Sequence, residues 1–268
     1  MSPLAAALLG LIEGLTEYLP VSSTGHLILA GHYLGVESET SKSFEIVIQL
    51  GAILAVVVHY RRLLGDRLLG LARQQPEALR LFGALAVAFA PAAILGLAAR
   101  HAIKEHLFGL KPVAEALVVG GVLMIVVEAV RARRHITGLD GLEHVTLGRA
   151  FAIGLGQCFS LWPGASRSMC TIVAGQLSGL STATAAEFSF LLALPTLGAA
   201  TIYEGWKARH ALLAGSGGVE LAIGLGVSFV VAWAVIAGFL RYLKSRGLAP
   251  FGWYRVIVGG IVLWTILR

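Results

Sequence analysis

Leu19-Pro20-Val21-Ser22-Ser23-Thr24-Gly25-His26 is a polar, proline-marked break inside an otherwise strongly apolar chain. A second break of the same character is Trp162-Pro163-Gly164-Ala165-Ser166-Arg167-Ser168. Pro20 and Pro163 lie 143 positions apart, an offset that also sets Ser23 over Ser166. A Glu/Phe pair follows each break, Phe44-Glu45 after the first and Glu187-Phe188 after the second. Broken hydrophobic segments at matching places in two halves mark an internal repeat with a site at its interface. Polar backbone at membrane depth persists only where it is buried in protein or lines a wet cavity. The breaks are therefore where function is expected.

The chain of 268 residues is 57% hydrophobic and 13% charged, with a mean hydropathy of +0.80. Soluble domains carry roughly 25% charged residues, so this composition predicts an all-α polytopic membrane protein, a single membrane domain over 1–268. The apolar runs have helix length rather than the short alternation of a membrane barrel. Full spans are predicted at 43–60, 82–100, 112–130, 185–203, 219–240 and 252–267. Two stretches, 3–35 and 147–178, are apolar, broken and apolar again, and each half is too short to cross a bilayer. They are expected to be re-entrant helical hairpins with the polar break at the tip. The repeat units run over 3–100 and 147–240, with 112–130 and 252–267 as additional spans. An odd number of crossings separates the two hairpins, so the repeat is expected to have inverted topology. Gly10-x-x-x-Gly14 and the pairs Gly120-Gly121 and Gly259-Gly260 suit close helix packing.

Basic residues are expected in the loops. One face collects 12, among them Arg61, Arg62, Arg67, Arg131, Arg134, Arg149, Arg241 and Lys244. The other collects 7: Lys42, Arg100, Lys104, Lys111, Lys207, Arg209 and Arg268. The bias predicts that the first face is cytoplasmic and that the first hairpin opens outward. A net charge of +6 is accounted for by topology and membrane lipids, so no nucleic-acid partner is expected. Two cysteines, Cys158 and Cys170, indicate neither a disulfide framework nor a Cys/His metal site. No basic n-region precedes the first apolar stretch, so a cleaved signal peptide is not expected. Gly154-Leu-Gly156 lacks a third glycine and a preceding strand, which excludes a dinucleotide fingerprint. Glu128 is expected to snorkel toward Arg131 and Arg134.

Glu13 and Glu17 stand at i and i+4 on one helix face. An acid at a membrane helix centre costs about 2.5–3.5 kcal/mol on insertion scales, so a cation, a proton or an arginine should offset it. Ser22, Ser23 and Thr24 beside His26 offer a hydroxyl nucleophile with a proton-transfer partner. In the second break Gly164 lets backbone approach a ligand, and a helix restarting near Ser166 would present an anion site. Arg167 adds a planar donor suited to phosphate, and pairing of Arg167 with Glu13 or Glu17 is compatible with that role. Ser166, Ser168 and Thr171 add hydroxyls. Acids for a hard cation, donors for phosphoryl oxygens and a hydroxyl nucleophile are the parts of phosphoryl transfer. A site inside the membrane implies a lipid-borne phosphate.

Glu13-x-x-x-Glu17-Tyr-Leu-Pro-Val-Ser-Ser-Thr-Gly-His26 together with Pro163-Gly-Ala-Ser-Arg-Ser-x-x-Thr171 resembles the undecaprenyl-pyrophosphate phosphatases of bacterial inner membranes. The resemblance covers essentially the whole chain. It implies hydrolysis of undecaprenyl pyrophosphate to the monophosphate carrier of peptidoglycan synthesis, with bacitracin resistance and dependence on a divalent cation, Mg²⁺ or Ca²⁺. By motif position, Glu13 and Glu17 match the acidic pair and the metal ligands, Ser23 the nucleophile and His26 the motif histidine. Ser166, Arg167 and Thr171 match the phosphate-binding element; Arg167 is also expected to be catalytic, and Ser22, Thr24, Gly164 and Ser168 are expected as further substrate contacts. Met169-Cys170 stands where such proteins often have small residues. The implied substrate partner is an isoprenoid pyrophosphate lipid, a homodimer is compatible, and the active site would face the periplasm. Direct attack by water stays open beside attack by Ser23, and a transporter or flippase for an anionic lipid is the alternative function.

Overall fold

The computed structural model describes residues 1–35, 38–107, 109–215 and 217–268. The side chains of Arg100, Lys104 and His106 also lie outside the described set, and with them two cations counted on the less basic face. The described residues form α1 (Pro3–Thr16), α2 (Ser23–Leu34), α3 (Glu39–His59), α4 (Arg61–Ala72), α5 (Pro76–Ala98) and α6 (Arg100–His106). Then follow α7 (Leu110–Arg133), α8 (Leu147–Cys158), α9 (Arg167–Leu177), α10 (Thr182–Leu212), α11 (Gly217–Leu243) and α12 (Ala249–Leu267). Six of these, α3, α5, α7, α10, α11 and α12, are long and apolar enough to cross a membrane. Their outer surfaces carry exposed large apolar side chains such as Ile94, Leu97, Ile202 and Trp206. Such a coat suits lipid and would aggregate in water.

The helices outrun the apolar windows read from the sequence. α10 spans 31 residues because Ser181 caps its N-terminus by accepting from the Thr184 N–H, and the helix then continues through the polar stretch Glu204–His210. α4 corrects a second expectation: Arg61, Arg62 and Arg67 lie on a short helix, not in a loop. Its Leu68 and Leu69 are exposed beside those cations, the pattern of a helix lying in the membrane interface. The hydrogen bond of Glu128 runs across to α9 rather than along its own helix. Its carboxylate accepts from Gln176 Nε2 at 2.7 Å, while Arg131 is buried and donates to the carbonyls of Gln176, Thr137 and Leu180. The Gln176 and Leu180 carbonyls lie where α9 ends, and Thr137 lies just after α7.

The two short pairs, α1/α2 and α8/α9, pack crosswise into the bundle. α1 lies against α11, which also packs on α3, and α8 lies against α5. Small residues make these contacts possible. A Cβ on Gly10 would stand 2.5 Å from the Gly224 carbonyl oxygen, and one on Gly154 would stand 2.6 Å from that of Ala88. α7 and α12 pair through Gly121 and Gly252. The chain entering α8 and the chain leaving α9 meet: the Leu139 N–H donates to Gly179 and the Ser181 N–H donates to Leu139, both at 2.9 Å. The breaks join α1 to α2 and α8 to α9.

Candidate active site

Both breaks end on a strained serine. Ser22 (φ 76°, ψ 92°) and Ser166 (φ 72°, ψ 113°) are the N-caps of α2 and α9. Positive φ in a non-glycine residue costs about 1–3 kcal/mol and concentrates at functional sites. A cap bond offsets part of it: Ser22 Oγ accepts from the Gly25 N–H and Ser166 Oγ from the Met169 N–H. This corrects the register of the repeat by one residue. The proline offset sets Ser23 over Ser166, whereas the helix starts pair Ser22 with Ser166. Ser23 and Arg167 thus become the equivalent first residues of α2 and α9. The first N–H groups of a helix have no intrahelical acceptor and form its positive end, so two such ends meet here.

A cavity of about 200 Å³ lies between them, lined by Glu17, Ser22, Ser23, Thr24, Gly164, Ser166 and Arg167, with Gln49, Ser160 and Thr196 among the other residues of its wall. Ser23 Oγ donates to Glu17 Oε2 at 2.5 Å. Arg167 Nη2 donates to Glu17 Oε1 at 2.7 Å, and both side chains of this ion pair are buried. Arg167 Nη1 donates to the Ser189 carbonyl at 2.8 Å and to Ser189 Oγ at 3.2 Å. Its Nε is buried without a partner, which leaves a donor for an anion.

Several expected site residues stand behind this front. Thr171 is fully buried, with Oγ1 at 2.6 Å from Ser189 Oγ, so it supports the residue that holds Arg167. Ser168 Oγ donates to the Leu19 carbonyl at 3.0 Å and ties one break to the other. Neither lines the cavity. His26 is also engaged away from Ser23. Its Nδ1 is 2.8 Å from the Ser22 carbonyl and its Nε2 is 2.7 Å from Tyr254 Oη, with the two rings stacked. A carbonyl only accepts, so Nδ1 carries the proton. The Ser23 hydroxyl's hydrogen bond goes to Glu17, not to the imidazole.

Glu13 is fully buried, and both its carboxylate oxygens are without hydrogen-bond partners. Orphaned carboxylate oxygens are hard-cation donors. Among the described residues no group of three His, Cys, Asp or Glu side chains converges, and Glu13 does not line the cavity; what fits a hard cation is the donor type of the orphaned Glu13 oxygens alone.

Residues the sequence reading passed over complete the arrangement: Tyr254 on His26, Ser189 on Arg167, and Arg255, whose guanidinium donates to the carbonyls of both Pro20 and Gly164. Arg255 also departs from the expectation of loop-borne cations. A lone arginine inside an apolar span is itself a functional signal. Gly164 (φ 96°) is demanded by backbone, since a Cβ there would stand 2.5 Å from the Val113 carbonyl oxygen. A larger cavity of about 550 Å³ lies at the C-terminal end of α3, lined by residues including His59, Tyr60, Glu187 and Arg241. It contains no break residue.

The family model of the bacitracin resistance protein BacA matches residues 6–261. The chain belongs to the BacA family. Among its BacA-like relatives, an undecaprenyl-diphosphatase of Sorangium cellulosum is 64% identical over 260 residues, 97% of this chain and 85% of that one. An undecaprenyl-diphosphatase of Rhizorhabdus wittichii is 47% identical over 269 residues, 100% of this chain and 99% of that one. Undecaprenyl-diphosphatase 2 of Rhodospirillum rubrum is 47% identical over 261 residues, 97% and 93% of the two chains. The BacA match thus takes in both breaks and every cavity residue named above.

Proposed function

We propose that this protein is an integral membrane undecaprenyl-diphosphatase that hydrolyses undecaprenyl pyrophosphate to undecaprenyl phosphate and inorganic phosphate and so confers bacitracin resistance. The observation that carries the reading is the row Ser23–Glu17–Arg167. A hydroxyl, its proton acceptor and a phosphate-seeking cation, drawn from two distant segments, stand in one hydrogen-bonded line.

In the mechanism this row supports, the pyrophosphate enters the cavity and takes the Nε–H of Arg167 and the first N–H groups of α2 and α9. Ser23 Oγ attacks the terminal phosphorus while its proton passes to Glu17 Oε2. The bond from that phosphorus to the bridging oxygen breaks, and undecaprenyl phosphate leaves with the electron pair. Glu17 passes its proton to the departing phosphate. Water, giving a proton to Glu17, then attacks the phosphoserine, and Glu17 returns that proton to Ser23 Oγ as inorganic phosphate is freed. His26 holds the Ser22 carbonyl and with it the start of α2. A divalent cation would be held by Glu13, with Glu17 beside it, and by substrate phosphate oxygens. When bound it would withdraw charge from the phosphoryl group.

The two breaks are read as tips of re-entrant hairpins that enter from opposite faces as an inverted repeat. The exchange of packing partners, α1 on α11 and α8 on α5, supports that reading. The bias of 12 cations against 7 supports a cytoplasmic face at α4 in a bacterial inner membrane, with the cavity serving the periplasmic side.

The test is phosphate release from a C55 isoprenoid pyrophosphate by detergent-purified protein, with Mg²⁺, Ca²⁺ or chelator, beside Ser23→Ala and Arg167→Ala. Cation-dependent release lost in both variants is expected. Full activity in Ser23→Ala would remove the covalent route, and no release from folded wild-type protein would overturn the function.

A further inference from the structure

Arg255 is the largest fully buried side chain among the described residues, and it sits within the apolar helix α12. A buried guanidinium is costly unless its donors are satisfied. Here backbone carbonyls satisfy them. Nη1 donates to Pro20 at 3.1 Å, Nη2 to Gly164 at 3.0 Å and to Ala116 at 3.1 Å, and Nε points at Leu117 at 3.4 Å. The last two carbonyls belong to α7, which packs closely along α12, so one side of the guanidinium rests on a rigid helix. The other side holds the two breaks, where chain irregularity leaves carbonyls without helical donors. The spacing is the same in both: Pro20 lies three residues before Ser23, and Gly164 three before Arg167.

We propose that Arg255 is a positioning residue of the phosphatase: it fixes the two breaks to one point and thereby sets Ser23 opposite Arg167. The inference rests on the phosphatase reading given above. Arg255 does not line the cavity and touches no reacting atom, so its effect runs through the backbone. The planar fork of an arginine suits four acceptors at fixed angles, whereas a lysine ammonium reaches only some of them. A shift of about 1 Å in a reacting group costs about 100-fold in rate.

Two perturbations test this in the full-length protein in detergent, with kcat and KM measured per folded molecule. Arg255→Lys keeps the charge and loses part of the fork. Gly120→Ala keeps Arg255 but places a Cβ 2.3 Å from its Nη2 and 2.8 Å from Met169 Cε, which forces the guanidinium to move. Both are expected to lower kcat, Arg255→Lys by about 100-fold, with KM little changed. The double variant should be no slower than Arg255→Lys alone, as for two changes acting through one element. Gly260→Ala on the same helix meets nothing within 4 Å and should match wild type. Wild-type kcat in folded Gly120→Ala and Arg255→Lys would overturn the proposal. So would a raised KM at unchanged kcat, which would make Arg255 a binding charge. If Arg255→Lys fails to fold, Gly120→Ala decides alone. An inactive wild type would instead overturn the phosphatase reading, and the proposal with it.

Discussion

Replacing Glu17 with glutamine separates the two tasks this carboxylate performs. One oxygen takes the Ser23 proton at 2.5 Å and the other pairs with Arg167 at 2.7 Å. The amide of Glu17→Gln would retain an acceptor for Arg167 and present its N–H₂ to Ser23, a group that can donate to Ser23 Oγ but cannot take its proton. Loss of a general base costs about 10²–10⁴-fold, or about 3–5 kcal/mol of barrier at about 1.4 kcal/mol per decade. Breaking a buried ion pair by removing one charge costs about 3–5 kcal/mol of stability, and the surviving hydrogen bond should hold the loss near the lower figure. Glu17→Gln is thus expected to fold with a lower unfolding temperature and to release phosphate at least 100-fold more slowly. The assay is single-turnover phosphate release from a C55 pyrophosphate, with the folded fraction measured in the same preparation. A variant that folds and turns over within tenfold of wild type would refute the base assignment. A variant that loses stability and rate together, with normal kcat per folded molecule, would leave Glu17 only a structural counter-ion.

Three further outcomes follow from the same geometry. Ser23→Ala should lose turnover while still binding substrate, and ³²P from a terminally labelled pyrophosphate should attach to wild-type protein but not to this variant. His26→Gln, whose amide can still donate to the Ser22 carbonyl, should retain far more activity than Glu17→Gln, and Tyr254→Phe should cost only about fivefold, the worth of roughly one hydrogen bond. A collapse of His26→Gln to the Glu17→Gln level would restore the imidazole as the base. Raising Mg²⁺ should raise the unfolding temperature of wild-type protein, as ligation to the folded state requires. The same titration should leave Glu13→Gln nearly unmoved, and an unaltered response there would take Glu13 out of the cation site.

The spans were legible because each is a run of apolar residues of bilayer length, and that signal is local. The breaks were legible because Pro20, Pro163 and the serines around them are out of place in such runs. What escaped was set by non-local contacts. The repeat register slipped by one because the prolines align the sequence whereas the serine caps start the helices. In sequence α4 looks like basic loop because its arginines signal topology more loudly than its leucines signal a helix. Arg255 escaped because its partners Pro20 and Gly164 are 235 and 91 positions away. Nothing near residue 255 tells that carbonyls, rather than an acid, receive its charge. The retreat of Ser168 and Thr171 behind the cavity has the same cause. Motif spacing puts them on the turn that carries Arg167, but only α10, through Ser189, decides which way they face.

The corrected register also bears on how one repeat could yield a site with two different tools. Ser23 and Arg167 each follow a strained serine cap, each begin a short helix and each lie three residues after a carbonyl held by Arg255. Duplicated local geometry therefore presents two helix N-termini to one cavity, a doubly positive environment for a pyrophosphate. Identical residues at the two positions would give either two nucleophiles without a clamp or two cations without a nucleophile. Divergence at that one pair of positions supplies both, and Glu17, placed shortly before the first cap, bonds to each. The consequence is directional. Exchanging the pair, Ser23→Arg with Arg167→Ser, would move the hydroxyl away from the acid whose segment it follows. That exchange should abolish turnover although the cavity's composition is unchanged, because Glu17 is present in only one half. Turnover in the exchanged protein would mean that the two helix ends alone, and not the acid, organise the chemistry.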